Sequence, residues 1–213
     1  MKSSIGLLLI TATVLGLVCQ ACDQGRFHYC YSQYLSNLKI DFTPAFPVYS
    51  KVKSEIDELL WALRWHGQIK LCNFQHTLIR CIGPDAQSCL DTSQYESALG
   101  IRPSDAFQYK SDYLVRKFEC TEGLPALANS FDCLVEADSA APEGSAFNKC
   151  MSSQVHIIQT ALPNCTVAND IIDCTIDYYT HHCGKALKQF ACNVAKIRIQ
   201  AITDQCDLVL KKC

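Results

Sequence analysis

Motifs of hydrolytic and nucleotide-binding enzymes are missing from this sequence. It has nine glycines in 213 residues, and none of them lies in a G-x-S-x-G nucleophile turn or a Gly-rich phosphate loop. The His181–Lys185 stretch (HHCGK) lacks the adjacent cysteine pair and following aspartate of helical secreted phospholipases. These absences argue against an enzyme, and nothing in the sequence predicts a cofactor.

Concentrated charge and long apolar runs are also missing from most of the chain. Nineteen Lys and Arg stand against 21 Asp and Glu, a net charge of −2, with no run of five like charges. Nucleic acids and anionic membranes favour proteins with a concentrated basic face, so neither is expected as a main partner. After the N-terminal segment no stretch approaches the ~20 apolar residues that span a membrane.

The first 21 residues have the pattern of a secretory signal peptide. Lys2 precedes an apolar run from Ile5 to Val18, and Cys19 and Ala21 are small residues suited to a cleavage site. The apolar run is short for a membrane span. We therefore predict cleavage after Ala21 and a secreted, extracellular protein formed by residues 22–213.

The number of cysteines agrees with that interpretation. The chain has fifteen cysteines, and cleavage after Ala21 removes Cys19. An even count in a secreted chain predicts complete pairing into disulfides, here seven. The fourteen remaining cysteines are Cys22, Cys30, Cys72, Cys81, Cys89, Cys120, Cys133, Cys150, Cys165, Cys174, Cys183, Cys192, Cys206 and Cys213.

Apolar residues recur at i, i+3 and i+4 through most of the chain, while alternating strand patterns and Asn-Gly or Asp-Gly turns are rare or absent. This spacing predicts an all-α, disulfide-stapled bundle of seven to eight helices. Residues Ser139–Ser145 (SAAPEGS) read as a loop and mark a break near residue 140 between two halves. The apolar stripes begin at Phe27, Ile56, Phe74, Phe107, Leu124, Phe147, Ile171 and Leu187.

Four cysteines, Cys165, Cys174, Cys183 and Cys192, follow one another at intervals of nine residues. Nine helical residues make two and a half turns and rise about 13 Å, so neighbours on one helix cannot bond to each other. Either each staples its helix to a different neighbour, or a turn at Gly184 or just after Cys165 places them on different helices. Because residues 78–89 and 171–183 have similar sequences, an internal duplication is a further hypothesis.

A metal site near Cys183 is the competing interpretation of this region. Asp177 and His181 share a helix face at i, i+4, with Asp173 upstream and His182 adjacent. Residues 22–213 have no C-x₂-C or H-x₃-H pair, and cysteines in an oxidising compartment pair with each other. We therefore predict no metal site.

Two features suggest contacts outside the chain. Trp61 and Trp65 are four residues apart, so a continuous helix places them on one face. An exposed pair would suit a protein partner or an apolar ligand, whereas a buried pair would be core. Asn164 begins the N-x-Thr glycosylation motif Asn-Cys-Thr.

The spacing of the cysteines resembles that of two groups of secreted invertebrate proteins, the insect 27-kDa haemolymph glycoprotein family and a nematode family of secreted cysteine-rich domains. The resemblance covers roughly residues 70–210 and implies an extracellular helical disulfide protein with no known catalytic activity. The residues that carry it are Cys72-x₈-Cys81-x₇-Cys89, Phe118 to Cys120, Cys174-x₈-Cys183-Gly184 and Cys206.

These observations predict a secreted, non-enzymatic protein that acts by binding or as a component of an extracellular fluid or matrix. One alternative is a secreted effector, such as a venom or defence protein, that binds a receptor. Another is a carrier of small apolar ligands, which would need an enclosed apolar cavity. An enzyme would instead show a buried histidine–carboxylate pair beside a nucleophile.

Overall fold

The computed structural model describes residues 22–43, 45–140 and 164–213. These residues form helices and connecting turns without a β-strand, which confirms the predicted all-α, disulfide-stapled bundle. The predicted signal peptide, Cys150 and the apolar stripe that begins at Phe147 lie outside the described residues. The helices are α1 (Gln24–Asn37), α2 (Tyr49–Ile82), α3 (Ala86–Cys89), α4 (Thr92–Leu99), α5 (Pro103–Glu119), α6 (Leu124–Ala140), α7 (Cys165–Cys183) and α8 (Lys188–Ile202).

The apolar side chains form two cores. The first lies between α1, α2, α4 and the start of α5, and it is rich in aromatic rings such as Phe27, Tyr31 and Tyr95. The Tyr31 hydroxyl donates to the Tyr95 hydroxyl over 3.0 Å, which satisfies a polar group in this apolar setting. The predicted amphipathic stripe of α1 supplies one wall of this core.

The second core lies between the end of α5, α6, α7, α8 and the C-terminal segment. Its centre contains Ile172, Ala191 and Ile199, which are fully buried. Because α5 contributes Tyr113 to the first core and Val115 to the second, the two cores meet along this helix. The break predicted near residue 140 falls at the end of α6, where this described range stops.

Each of the six disulfides described joins segments within the same half of the chain. Residues 22–120 are here called the first half of the chain and residues 133–213 the second half, and α6 is counted with the second half because Cys133 lies on it. Each half holds three of these disulfides. Cys174 is disulfide-bonded as well, so all thirteen cysteines in the described ranges are oxidised. The six pairs are Cys22–Cys89, Cys30–Cys81, Cys72–Cys120, Cys133–Cys183, Cys165–Cys206 and Cys192–Cys213.

The cysteines spaced by nine residues staple their helices to different neighbours. Cys165 begins α7 and bonds to the segment after α8, while Cys183 ends α7 and bonds to α6. Gly184, at φ 93°, turns the chain so that Cys192 lies on α8. The backbone at that φ favours glycine because it has no Cβ. Both arrangements considered for the nine-residue spacing therefore occur together.

Corresponding cysteines in the two halves pair in the same order. Cys72 and Cys165 each bond to a cysteine that follows them, at the end of α5 and after α8. Cys89 and Cys183 each bond back to a cysteine of an earlier segment. This shared connectivity favours the hypothesis that residues 78–89 and 171–183 belong to duplicated units.

The helix α2 is broken at Arg64, whose φ of 51° and ψ of −133° are not helical. The two parts of α2 meet at a sharp angle, as the close approach of Gly67 to Leu59 shows. A Cβ on Gly67 would lie 2.6 Å from the carbonyl oxygen of Leu59. In a straight helix these residues would be about 12 Å apart along the axis. Gly67 therefore permits a close backbone approach, and Arg64 holds a conformation that costs on the order of 1–3 kcal/mol.

The helix α5 begins at Pro103 with Arg102 as its N-cap. Asp105, in its first turn, is buried and accepts a hydrogen bond of 2.9 Å from the backbone N–H of Tyr49, at the start of α2. The short α4 was not predicted, because its eight residues carry too few apolar positions to form a clear stripe.

We predict that Gly67→Ala destabilises the protein by about 1–3 kcal/mol, because the new Cβ meets backbone that cannot move aside. The matched control is Gly25→Ala in α1, where the Cβ meets Asp23 Oδ1 at an ordinary 3.5 Å. That control should be neutral or gain about 0.5–1 kcal/mol. Guanidinium unfolding with the disulfides intact measures both, and equal stability of the two variants would contradict the close approach.

Candidate functional site

The two tryptophans lie on different sides of α2. The indole of Trp61 is 51% exposed, whereas Trp65 is half-buried and packs edge-on against Phe131 at a ring distance of 5.5 Å. The expectation that they share one face assumed a continuous helix. The break at Arg64 falls between them and separates their directions. Trp61 therefore remains available as a contact residue, and Trp65 belongs to the second core.

Trp61 stands at a surface groove of about 380 Å³, here called the Trp61 groove. One wall comes from α2, whose contributing residues recur at three- and four-residue intervals and so share a helix face. The opposite wall comes from α6, so the groove lies between the first and second halves of the chain. The lining residues are Lys53, Ser54, Asp57, Glu58, Leu60, Trp61, Val135 and Asp138.

The Trp61 groove combines an apolar floor with an acidic rim. Leu60 and Val135 are partly buried and pack against the second core. Lys53 forms an ion pair with Asp57 one turn along α2. Glu58 and Asp138 form no ion pair with any described residue. Three carboxylates against one ammonium give the groove a negative character.

Arg64 stacks on the Trp61 indole with its guanidinium carbon 4.3 Å from the ring centroid. Its Nη2 also lies 3.9 Å from Glu136 Oε1, and its Nη1 is buried without a hydrogen-bond partner among the described residues. Arg64 does not line the groove, so it contacts the indole from outside. The residue with the strained backbone thus contacts a face of the exposed indole.

Asp138 lies at the inner end of the groove and accepts a hydrogen bond from the hydroxyl of Tyr179. The residue is exposed, but its carboxyl group is crowded by protein atoms, and this desolvation raises its pKa. The Tyr179 hydrogen bond and the charges of Arg198 and Lys53 oppose the effect without cancelling it. Because the pKa is raised, Asp138 is a carboxylate that favours an additional cation or a proton.

Behind the groove, a buried ion cluster lies at the junction of the two halves. Arg116 donates to Glu119 over 2.7 Å and to Asp112 over 3.3 Å. Burial lowers the pKa of the Arg116 guanidinium, but Glu119 and Asp112 outweigh this effect and raise it. Burial also raises the pKa of Glu119, against the lowering effect of Arg116 and Arg198. Nothing in this cluster pairs a nucleophile with a histidine base.

Several candidate ligands of the metal site that the sequence offered as a competing interpretation are engaged in other contacts. Cys183 is in a disulfide, Asp173 is paired with Lys211, and His182 Nδ1 lies 2.8 Å from the carbonyl oxygen of Tyr178. In the described ranges no group of three or more His, Cys, Asp or Glu is arranged to hold a metal. Among the same residues no histidine is hydrogen-bonded to a carboxylate.

A second groove, of about 740 Å³, lies between α7, the start of α8 and the C-terminal residues. It brings together four lysines from two separate segments, Lys185, Lys188, Lys211 and Lys212, with Asp173 and Asp177 on α7. The ion pair between Lys211 and Asp173 neutralises part of this charge. Both grooves are open to solvent, unlike the enclosed apolar cavity expected of a carrier.

Asn164 is exposed and is the N-cap of α7. Its Oδ1 accepts a hydrogen bond of 3.1 Å from the backbone N–H of Thr166. The adjacent Cys165 is bonded to Cys206. The side chain is accessible for modification, and its glycosylation stays a prediction.

Sequence reasoning found Trp61 but missed the residues around it. Asp57 stands four residues before Trp61, so helical spacing alone could have suggested that they share a face. Val135 and Asp138 come from a helix more than seventy residues away, and no sequence signal links them to Trp61. The strained conformation of Arg64 is equally invisible in the sequence.

No protein-family model, curated protein or solved structure matches this chain. In the part of the chain that the structure describes, no helix has the length and apolar character needed to cross a membrane.

We predict that the two indoles differ strongly in exposure. In Trp65→Phe the remaining Trp61 should emit at longer wavelength and be quenched by acrylamide several-fold more strongly than the Trp65 that remains in Trp61→Phe. The reason is that Trp61 is half exposed while Trp65 packs against Phe131. Equal quenching of the two single-tryptophan variants would show that the indoles share one environment.

We predict that the stability of Asp138→Asn relative to the wild type increases with pH. The raised pKa means that folded Asp138 binds a proton more readily than unfolded Asp138, so the wild type loses stability as the pH rises from the ordinary Asp pKa of about 3.9 through the raised value. Asparagine does not titrate and keeps an acceptor for Tyr179. Denaturant unfolding between about pH 4 and about pH 7 measures the difference.

The companion variant is Tyr179→Phe, which removes a hydrogen bond that lowers the Asp138 pKa. In this variant the same loss of stability should extend to higher pH. A difference between wild type and Asp138→Asn that is constant across the pH range would contradict the raised pKa.

Proposed function

We propose that this protein is secreted and non-enzymatic, and that it acts by binding through the Trp61 groove. The observation that carries the proposal is a half-exposed indole above a groove whose flanking helices belong to disulfide-stapled halves. Aromatic side chains of this kind are typical of contact sites, since they bury a large apolar area at a small cost in conformational entropy.

The extracellular part of the proposal is supported by the state of the cysteines. All thirteen in the described ranges are disulfide-bonded, and such a density of disulfides is typical of an oxidising compartment. The predicted signal peptide over residues 1–21 gives the same location. A glycan on the exposed Asn164 would be a further mark of the secretory pathway.

The non-enzymatic part is supported by the chemistry of the site. The Trp61 groove is lined by carboxylates, an ammonium, an indole and the hydroxyl of Ser54, and no described histidine lines it that could serve as a base for that hydroxyl. A secreted effector that binds a receptor would use the same kind of surface and remains an alternative. A carrier of small apolar ligands fits less well, because both grooves are open and have charged rims.

We expect the full-length chain, expressed in cultured insect cells with its own N-terminus, to appear in the medium without residues 1–21. Reduction should then raise the mass of the enzymatically deglycosylated protein by about 14 Da, two hydrogens for each of seven disulfides. Intact-mass spectrometry gives both results, and a control with residues 2–21 deleted should stay inside the cell. Free thiols in the secreted protein, or retention of the full-length chain, would contradict the proposal.

A further inference from the structure

We propose that the Trp61 groove binds a small organic cation, an ammonium group attached to an apolar body. This inference rests on the proposed function, because it names the class of ligand for the same groove. Three observations carry it: the charge of the rim, the existing use of the indole by a cation, and the size and floor of the groove.

The rim favours a positive charge. Lys53 is already paired with Asp57, so the carboxylates of Glu58 and Asp138 remain available to a ligand in the groove. They come from opposite walls, α2 and α6, and an ammonium between them would be attracted to both. A cation there would also stabilise the ionised form of Asp138. A ligand anion would instead meet the carboxylates of Glu58 and Asp138, neither of which forms an ion pair with a described residue.

The indole is already used in a cation–π contact. The guanidinium of Arg64 stacks on Trp61 at 4.3 Å, and tryptophan is the side chain that binds cations best through its ring face. Arg64 is held there although its backbone lies at φ 51°, and such strained residues cluster at ligand sites. Arg64 approaches from outside the groove. Because its positive charge interacts with the same ring, it opposes the binding of a ligand cation to the indole.

The floor and volume favour a small molecule with an apolar part. Leu60 and Val135 provide the apolar contact, and about 380 Å³ lies in the range of small-molecule sites. A bare metal ion would leave the indole and this floor unused. A lysine side chain of a protein partner has the same ammonium chemistry, and the experiment separates it from a free amine.

The probe is phenethylamine, with 2-phenylethanol as its uncharged analogue and phenylacetate as an anionic one. The protein is the secreted, disulfide-intact chain, and binding is measured by calorimetry and by the emission of Trp61 in Trp65→Phe. We expect saturable binding of phenethylamine, about tenfold or more tighter than that of 2-phenylethanol, and no binding of phenylacetate. Affinity should fall as the pH is lowered and Asp138 takes up a proton.

Variants assign the binding to individual groups. Asp138→Asn and Glu58→Gln should each weaken phenethylamine binding several-fold, and Trp61→Ala should abolish it. Arg64→Gly should strengthen binding, because it removes the competing cation and places at φ 51° a residue that tolerates it. Asp177→Asn, in the other groove, is the matched control and should bind as the wild type does.

Equal binding of phenethylamine and 2-phenylethanol would overturn the proposal, since the groove would then recognise only the apolar body. Binding of a lysine-rich peptide without binding of the free amine would overturn it in favour of a protein partner. No binding of any probe to a correctly folded, secreted protein with seven disulfides would also overturn it. That last result leaves the secreted, stapled protein of the proposed function intact, so the two failures are distinguishable.

Discussion

The distribution of the disulfides is the constraint on which the rest of the structure depends. Each of the six pairs described closes within residues 22–120 or within residues 133–213, so the helices of each half are fixed against one another by covalent bonds. The contact between the halves instead depends on the packing of α2 and α5 against α6 and α8. The Trp61 groove lies across this junction, with Trp61 on one side and Asp138 on the other.

The junction is polar in a way that the two cores are not. Arg116 is held between Asp112 and Glu119, and a cavity of about 60 Å³ beside them is lined by Gln68 and Arg198 among others. Buried ion pairs add little net stability, because desolvation offsets their attraction, but leaving one partner unpaired is costly. All three residues of the cluster lie on α5, so the cluster forms within one helix, and the charge of Arg198 on α8 reaches Glu119 from the second half.

The helical class and the stapling followed from the sequence, because amphipathic spacing and an even cysteine count are local or additive signals. The turn at Gly184 was one of two arrangements that the spacing of nine allowed, and the structure combines them. The break at Arg64 was not predictable in this way. Arginine has no preference for a positive φ, and the role of Gly67 depends on a backbone contact with Leu59 that forms only once the chain has turned.

The same limit applies to the site. The α2 wall of the groove follows helical spacing, whereas Val135 and Asp138 reach it only through the packing of α6 across the junction. Helical spacing places Trp61 and Trp65 on one face only in a continuous helix, and the backbone of Arg64 between them is not helical. Local periodicity thus gives the faces of helices, and tertiary contacts decide which faces meet.

The disulfides act differently on the two walls of the Trp61 groove. A binding site loses less conformational entropy on association when its walls are already fixed. The α6 wall is fixed in this way, since Cys133–Cys183 anchors α6 to α7. The α2 wall, from Lys53 to Trp61, precedes the break at Arg64 and has no cysteine, while Cys72–Cys120 anchors only the part of α2 that follows the break. Because none of the six described disulfides joins the two walls, their alignment among the described residues depends on the packing of α2 against α6.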